Sequence, residues 1–491
     1  MSINTFRHWK FLIMNLANVI DPKLANSLFL IHVKEDGTSH KYTYRDLDNK
    51  SSWFARGLVK RGIKQQDYIA ILADNSFDYI VTYYGALKAG VVAVLVNNKM
   101  TDEEVEYVLK DSGSKLLFTD SDRMFSAETV RFSELDTFLD HGDFTTVELE
   151  DGEAICLYTS GSTGVPKGVV YTHKKHFWII NKHAAEDSSY DKFRRVKTMI
   201  ITPLYHLNGL AGIEIQAKKG NVIVMLSKFK PNIAIRAIEE HKVNVIATIT
   251  TTMAIMVNDP LIETAQLHTV NSIRVGSSIT TESTINKIKK YFPRAQVVIT
   301  YGTTETGPGM FAQHPKRKPT PKTSVGYPIE GLEYRIVDGV LQVKTPSVMV
   351  EYKNKKDLYD SRFTEDGFYI TGDLFEVDAD GFYFCLGRAD EMFKSGGNIV
   401  YPSEIENILE SHPKISLSAV IAVEDELKQF LPVAFVVAND ITEGEIKEYI
   451  LSKTAAYKHP RKVIFLDKIP TIGSGKVDKV KLKQYYKEHY V

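Results

Sequence analysis

Ala154-Ile155-Cys156-Leu157-Tyr158 runs straight into Thr159-Ser160-Gly161-Ser162-Thr163-Gly164-Val165-Pro166-Lys167-Gly168, and a second apolar run follows. A short apolar run that ends at such a loop reads as a strand delivering its end to a turn. The loop has the ingredients of a phosphate cradle. Glycines let the backbone approach an anion, hydroxyls and N–H groups donate, and Lys167 adds a positive charge. The Gly-x-x-x-x-Gly-Lys-Ser/Thr spacing of a Walker A loop is absent. On composition alone an ordinary Ser/Gly-rich turn is the bland alternative.

Outward from this loop, apolar β-branched runs over 68–72, 91–96, 115–119, 154–158, 198–201, 222–226, 245–249 and 297–300 alternate with helical patterns. That alternation predicts an α/β fold with stacked, mostly parallel sheets and helices. From about residue 325 short strands follow one another closely, at 334–337 and 340–344, as in a small β subdomain. Beyond Gly387-Arg388-Ala389-Asp390, a helix over 403–411 and strands over 419–423 and 434–437 suggest a compact α+β unit. The expected organisation is a large domain over 1–388, a hinge at 389–391 and a small domain over 392–491, since 491 residues exceed one core of ordinary size.

Lys plus Arg equal Asp plus Glu at 61 each, so no overall field draws the molecule to nucleic acid or to an anionic membrane. The two cysteines, Cys156 and Cys385, stand far apart without metal-ligand spacing, and a reducing, cytoplasmic setting is the simple expectation. Apolar runs fall short of the ~18 to 20 residues that cross a bilayer. Phe6, Trp9, Ile13 and Leu16 share a helical face, expected to pack on the surface rather than to contact a membrane. Nothing specifies an oligomeric state, and a homodimer stays open.

The run 158–168 resembles the signature of the adenylate-forming superfamily, which includes acyl-CoA synthetases. Further similarities follow in that superfamily's order, from Tyr42-Thr43-Tyr44-Arg45-Asp46-Leu47 to the C-terminal lysine. The resemblance implies ATP contacts from Thr159, Ser160, Gly161, Ser162, Thr163, Gly164 and Lys167. It implies an adenine pocket lined by Gly276, Ser277 and Ser278, where two serines stand in the family's Gly-Gly/Ala-Ala/Pro turn. Tyr301-Gly302-Thr303-Thr304-Glu305 looks like the second core motif, with Tyr301 near adenine, Thr304 at the α-phosphate and Glu305 on Mg²⁺. Asp373, in Tyr369-Ile370-Thr371-Gly372-Asp373, and Arg388 would hold the ribose. Asp390 falls at the hinge about which the resemblance implies a mobile C-terminal unit, Gly396 and Gly397 along the thiol tunnel, and Lys476 at the adenylation lysine. Taken singly these residues have bland readings: a lone Lys or Glu is usually solvated, and a Gly-Asp is usually a turn.

The chemistry needs such parts. A carboxylate must be aligned with the α-phosphate of ATP and the developing charge neutralised, after which the acyl-adenylate must be kept dry until a thiol arrives. The implied reaction is therefore acyl-AMP formation followed by transfer to CoA, with ATP, Mg²⁺ and CoA as cofactors; loading of a carrier-protein phosphopantetheine, or a non-catalytic nucleotide-binding protein, are the alternatives. Pro203-Leu204-Tyr205-His206 is similar to a substrate-lining segment of acyl- and aryl-CoA ligases, and Thr250 and Thr251 are expected in the pocket wall. No Asp occurs between 199 and 220, which argues against an α-amino acid, because its ammonium would be buried unpaired.

Overall fold

The computed structural model describes residues 15–159, 165–185, 195–472 and 475–490. Ser160, Gly161, Ser162, Thr163 and Gly164 of the loop, and Phe6, Trp9 and Ile13 of the N-terminal stripe, lie outside the described residues. The chain divides into two compact units: Met1–Phe229 with Thr304–Pro308 and Pro346–Ser361, and Lys230–Thr303 with Gly309–Thr345 and Arg362–Val491.

In the first unit a sheet runs in the order Glu351–Tyr352, Lys167–Thr172, Glu153–Thr159, Val92–Leu95, Tyr68–Leu72, Leu116–Thr119, Thr129–Arg131. The pairings from Glu153–Thr159 onward are parallel, and those involving Lys167–Thr172 are antiparallel. Alternate residues of neighbouring strands share a face, so Tyr68, Ala70 and Leu72 pack with Val92, Val94, Cys156 and Tyr158. Because the inner strands are buried on both faces, they read as continuous apolar runs rather than as alternating ones. A second strand set pairs Lys197–Ile200 with Val222–Leu226 and then Leu28–Val33 in parallel, with Ser39–Thr43 antiparallel at its edge. There Thr43 and Asp46 form the capping box that starts the helix Tyr44–Lys60.

The second unit opens with three parallel strands, Val245–Ile249, Ser272–Gly276 and Gln296–Thr300. Their register sets Ile249, Gly276 and Thr300 level, so the segments starting at Thr250, Ser277 and Tyr301 leave from one sheet edge, the carboxyl edge where α/β folds bind ligands. The β subdomain is a four-stranded antiparallel sheet, Glu333–Val337, Val340–Lys344, Tyr369–Val377 and Tyr383–Arg388. In the α+β part, the hairpin Ile415–Asp425 and Gln429–Ala438 carries a core on each face. The helices Pro402–Glu410 and Glu443–Leu451 bury Ile405, Leu409 and Ile446 against Val420 and Val436, while the helix Lys479–Tyr490 buries Leu482 against Ile421 and Phe435.

The expected strands 68–72, 222–226, 245–249 and 340–344 coincide with the observed ones. The hairpin strands extend several residues beyond 419–423 and 434–437, because the ladder continues through polar residues such as Ser416, Ser418 and Gln429 that break the apolar pattern.

Candidate active site

In the first unit, the antiparallel register pairs Thr159 with Lys167, so the Lys167 side chain rises from the strand that receives the loop. Its Nζ lies 3.2 Å from Glu305 Oε1 and donates to Tyr352 Oη at 3.2 Å. Tyr352 in turn donates to the same Glu305 oxygen at 2.8 Å. The backbone around Glu305 is fixed from both sides: Tyr171 Oη donates to Thr304 O at 2.7 Å, and Met349 N donates to Glu305 O at 2.8 Å. Burial pushes the Glu305 carboxyl up, and the Lys167 charge with the Tyr352 hydroxyl more than offsets it, leaving the group below its ordinary value. Thr159 Oγ1 is buried and has no hydrogen-bond partner among the described residues.

Tyr205 and His206 sit on the segment after the strand Lys197–Ile200, their rings edge to face at 4.6 Å. Asn75, which sequence reasoning did not single out, holds that segment. Buried, it donates to Thr202 O and Leu226 O at 3.3 and 3.2 Å and accepts from Leu204 N at 2.8 Å.

In the second unit Tyr301 Oη donates to Asp373 Oδ2 at 2.5 Å. Arg388, facing Asp373 across the antiparallel pair, donates to Asp373 Oδ1 at 3.3 Å and to Thr371 O at 2.9 Å. Here burial wins: the Asp373 carboxyl sits above its ordinary value even though Arg388, the Tyr301 hydroxyl and the Lys476 charge all act to lower it. Lys476, itself exposed, therefore brings its charge to bear on the carboxylate that Tyr301 and Arg388 hold. Gly276 ends its strand against Thr300, where a Cβ would meet Oγ1 at 2.3 Å and O at 2.6 Å, and Ser277 takes the left-handed φ of +69°. Gly302 and Thr303 continue from Tyr301 in this unit, whereas Thr304 and Glu305 belong to the first.

Arg388 also meets Asp390 at 3.2 Å. Gly396 and Gly397, with φ of +56° and +82°, turn the hairpin between Phe393–Ser395 and Asn398–Val400. Lys479 pairs with Glu391 at 2.7 Å and Glu406 at 3.6 Å. Thr250 Oγ1 bonds to the Ser278 carbonyl at 3.2 Å and to Thr280 Oγ1 at 2.8 Å, and Thr251 Oγ1 to the Gly475 carbonyl at 2.6 Å. Tyr352 carried no motif signal; its position beside Lys167 follows only from the pairing of Glu351–Tyr352 with Val169 and Val170.

Each unit thus carries a buried carboxylate beside a cationic side chain and a tyrosine hydroxyl, Glu305 with Lys167 and Tyr352 in the first and Asp373 with Arg388 and Tyr301 in the second, the pairings that an acid-activating, nucleotide-dependent enzyme requires. Comparison with known proteins agrees. The family described as AMP-binding enzyme matches residues 26–352, and the AMP-binding enzyme C-terminal domain matches 404–476. The chain belongs to the AMP-binding enzyme family, within the adenylate-forming superfamily. It is 29% identical to 4-coumarate–CoA ligase 3 of Arabidopsis thaliana over 91% of this chain and 87% of that protein. It is likewise 29% identical to the 2-succinylbenzoate–CoA ligase of Bacillus subtilis (strain 168), over 90% of this chain and 92% of the relative. Among solved structures, the o-succinylbenzoate CoA synthetase of Bacillus subtilis in complex with its acyl-adenylate intermediate superposes with a TM-score of 0.78 at 28% identity, covering 93% of this chain and 95% of that one. No helix among the described residues is long and apolar enough to cross a membrane.

Proposed function

We propose that this chain is an AMP-forming acid–thiol ligase that joins an aryl-bearing carboxylic acid to CoA through an acyl-adenylate. The observation that carries the reading is the convergence on Asp373: Tyr301, Arg388 and the charge of Lys476 come from three separate motifs and act on one carboxylate. The aryl class is supported by the relatives, which act on 4-coumarate and 2-succinylbenzoate.

In the first step a carboxylate oxygen attacks the α-phosphorus and pyrophosphate leaves with the bonding pair. Asp373 and Arg388 take the ribose, Gly276, Ser277, Ser278, Tyr301, Gly302 and Thr303 the adenine side, and Lys167 with the 159–164 loop the phosphates. Lys476 neutralises charge growing at the α-phosphate, together with Thr304. Glu305 fits Mg²⁺, since one hard carboxylate held ionised is what this ion takes from protein when phosphate oxygens and water complete its shell. When bound, Mg²⁺ draws charge from the phosphate oxygens. Thiol attack on the acyl carbon then expels AMP. Tyr205 and His206 line the acyl path, Gly396 and Gly397 the thiol path. The segment 392–491 moves about Asp390 between the steps, a reading supported by the separate C-terminal match over 404–476. The free cysteines Cys156 and Cys385 support a cytoplasmic setting.

The test is product mass spectrometry with ATP, Mg²⁺, CoA and pooled hydroxycinnamic, succinylbenzoic, benzoic and fatty acids. Aryl-CoA with AMP is expected. Acyl-AMP without acyl-CoA would move the acceptor to a carrier protein, fatty acyl-CoA alone would overturn the aryl assignment, and AMP from no acid would overturn the ligase.

A further inference from the structure

The helix Thr250–Val257 starts at the carboxyl edge of the parallel strands without a side-chain cap. Its first two hydroxyls serve other loops instead. Thr250 Oγ1 reaches the Ser278 carbonyl at 3.2 Å and Thr280 Oγ1 at 2.8 Å, which ties the helix to the 276–280 turn. Thr251, 7% exposed, donates its hydroxyl to the Gly475 carbonyl at 2.6 Å. Gly475 immediately precedes Lys476 and is seated tightly: its φ is +79°, and a Cβ there would meet Ile249 Cδ1 at 2.3 Å. Among the described residues of the lysine loop, the backbone bonds Ile472 N to Lys476 O at 2.9 Å, Gly475 N to Ile472 O at 2.8 Å and Asp478 N to Pro470 O at 2.9 Å run within the loop. With those bonds internal, the Thr251 hydroxyl is a bond that orients the loop from outside it.

We propose that Thr251 is a positioning residue for Lys476: its hydroxyl fixes the Gly475 carbonyl, and through it the direction of the lysine, in acyl-adenylate formation and not in thioester formation. The proposal rests on the ligase reading above. The two steps differ in what they ask of a cation. Attack at the α-phosphorus breaks the bond to pyrophosphate and builds negative charge at the α-phosphate, where an ammonium must already be aimed. In the second step the thiolate attacks the acyl carbon and the C–O bond breaks, AMP leaving as its phosphate dianion; no bond at the α-phosphorus changes, so this step asks less of an ammonium aimed there. Loss of the tie is therefore felt in the first step.

The first test needs no substrate. Hydrogen–deuterium exchange of the apo protein should be about tenfold faster over 470–478 in Thr251→Val, the change expected for one lost hydrogen bond, with the helix Thr250–Val257 unaltered. Unchanged exchange in the loop overturns the tie. The second test separates the half-reactions, with benzoic, cinnamic and fatty acids as probes. Thr251→Val should lower the maximal rate of ATP–pyrophosphate exchange about ten- to thirtyfold at unchanged KM for ATP, while thioester formation from synthetic acyl-adenylate stays within about twofold. Thr251→Ser, which keeps the donor, should recover most of the loss. Equal losses in both steps, or a serine variant as slow as valine, would reduce Thr251 to a structural role and overturn the proposal. A wild type inert toward every acid, with loop exchange still faster in the valine variant, sinks the ligase reading while the tie stands.

Discussion

Glu305 in the first unit and Asp373 in the second are built from the same kit: a buried carboxylate, one cationic side chain in hydrogen-bond contact and one tyrosine hydroxyl, with the Lys476 charge acting on Asp373 besides. They are driven in opposite directions, Glu305 below its ordinary value and Asp373 above it. The difference lies in how exclusively the cation is held. The Lys167 side chain is 17% exposed and its ammonium meets the carboxylate and its tyrosine at 3.2 Å, whereas the Arg388 side chain is 39% exposed and divides its donors among Asp373, Asp390 and the Thr371 carbonyl. A shared, better solvated charge offsets less of the burial penalty. The opposite directions suit the separate roles proposed for them, a cation at Glu305 and the ribose hydroxyls at Asp373.

The sharpest way to break this comparison is to remove the first charge. Glu305→Gln keeps the shape and leaves Lys167 unopposed, and it should lower acyl-adenylate formation about a thousandfold, measured as pyrophosphate exchange over a Mg²⁺ titration. A loss no greater than that of Asp373→Asn would mean that the two carboxylates do the same work.

A third buried carboxylate shows what burial does where, among the described residues, no cation is in ion-pair contact. Glu410 is 8% exposed and accepts from Ser418 N at 3.1 Å and Ser418 Oγ at 3.3 Å, and burial, with Glu406 adding to it, raises its carboxyl from 4.5 to about 7. The folded state holds the proton more tightly than the unfolded one. Stability from this group is therefore full below about 4.5, declines as pH rises toward 7, and is absent above it. Glu410→Gln should gain up to about 3 kcal/mol over wild type between pH 5 and pH 8, read from urea unfolding at both pH values. A gap that does not widen with pH would show that Glu410 titrates like an exposed carboxyl.

These carboxylates differ in how far they could be read from sequence. Glu305, Asp373 and Lys476 lie in local motifs of glycine, threonine and tyrosine whose resemblance to the superfamily's motifs points to them, whereas apolar runs bounded by turn residues are enough to expose the strands Tyr68–Leu72 and Val245–Ile249. Tyr352, Asn75 and Glu410 carry no such pattern. Their contacts cross long stretches of chain, as from Lys167 to Tyr352 or from Asn75 to Leu226, and arise only when strands distant in sequence pair. Thr250 and Thr251 were expected in a pocket wall, yet which groups their hydroxyls meet depends on the level ends of three parallel strands, a property no local window contains.

With Asp373 as the proposed ribose ligand, Asp373→Asn should cost about thirtyfold in kcat/KM for ATP, carried by KM rather than kcat, since on that proposal it removes a hydrogen-bond acceptor from binding and not from the reacting centre. A fall in kcat at unchanged KM would place Asp373 in the chemistry and erase its contrast with Glu305.

The smallest effects test the kit itself. Tyr352→Phe and Tyr301→Phe each delete one hydroxyl that donates to a carboxylate, at 2.8 Å and 2.5 Å. Each should cost about tenfold, the worth of one such bond, but in different currencies. At Glu305 the lysine and the hydroxyl share one oxygen, so losing Tyr352 lets Lys167 close on the carboxylate and compete with the metal; the Mg²⁺ concentration for half-maximal rate should rise while KM for ATP at saturating Mg²⁺ is unmoved. At Asp373 the tyrosine and the arginine occupy different oxygens, so Tyr301→Phe frees Oδ2 without disturbing the Arg388 contact, and the change should appear in KM for ATP at every Mg²⁺ level. If both variants shifted the same parameter, the two carboxylates would be answering to one bound ligand as a unit, and the separate roles drawn from their opposite titration would not stand.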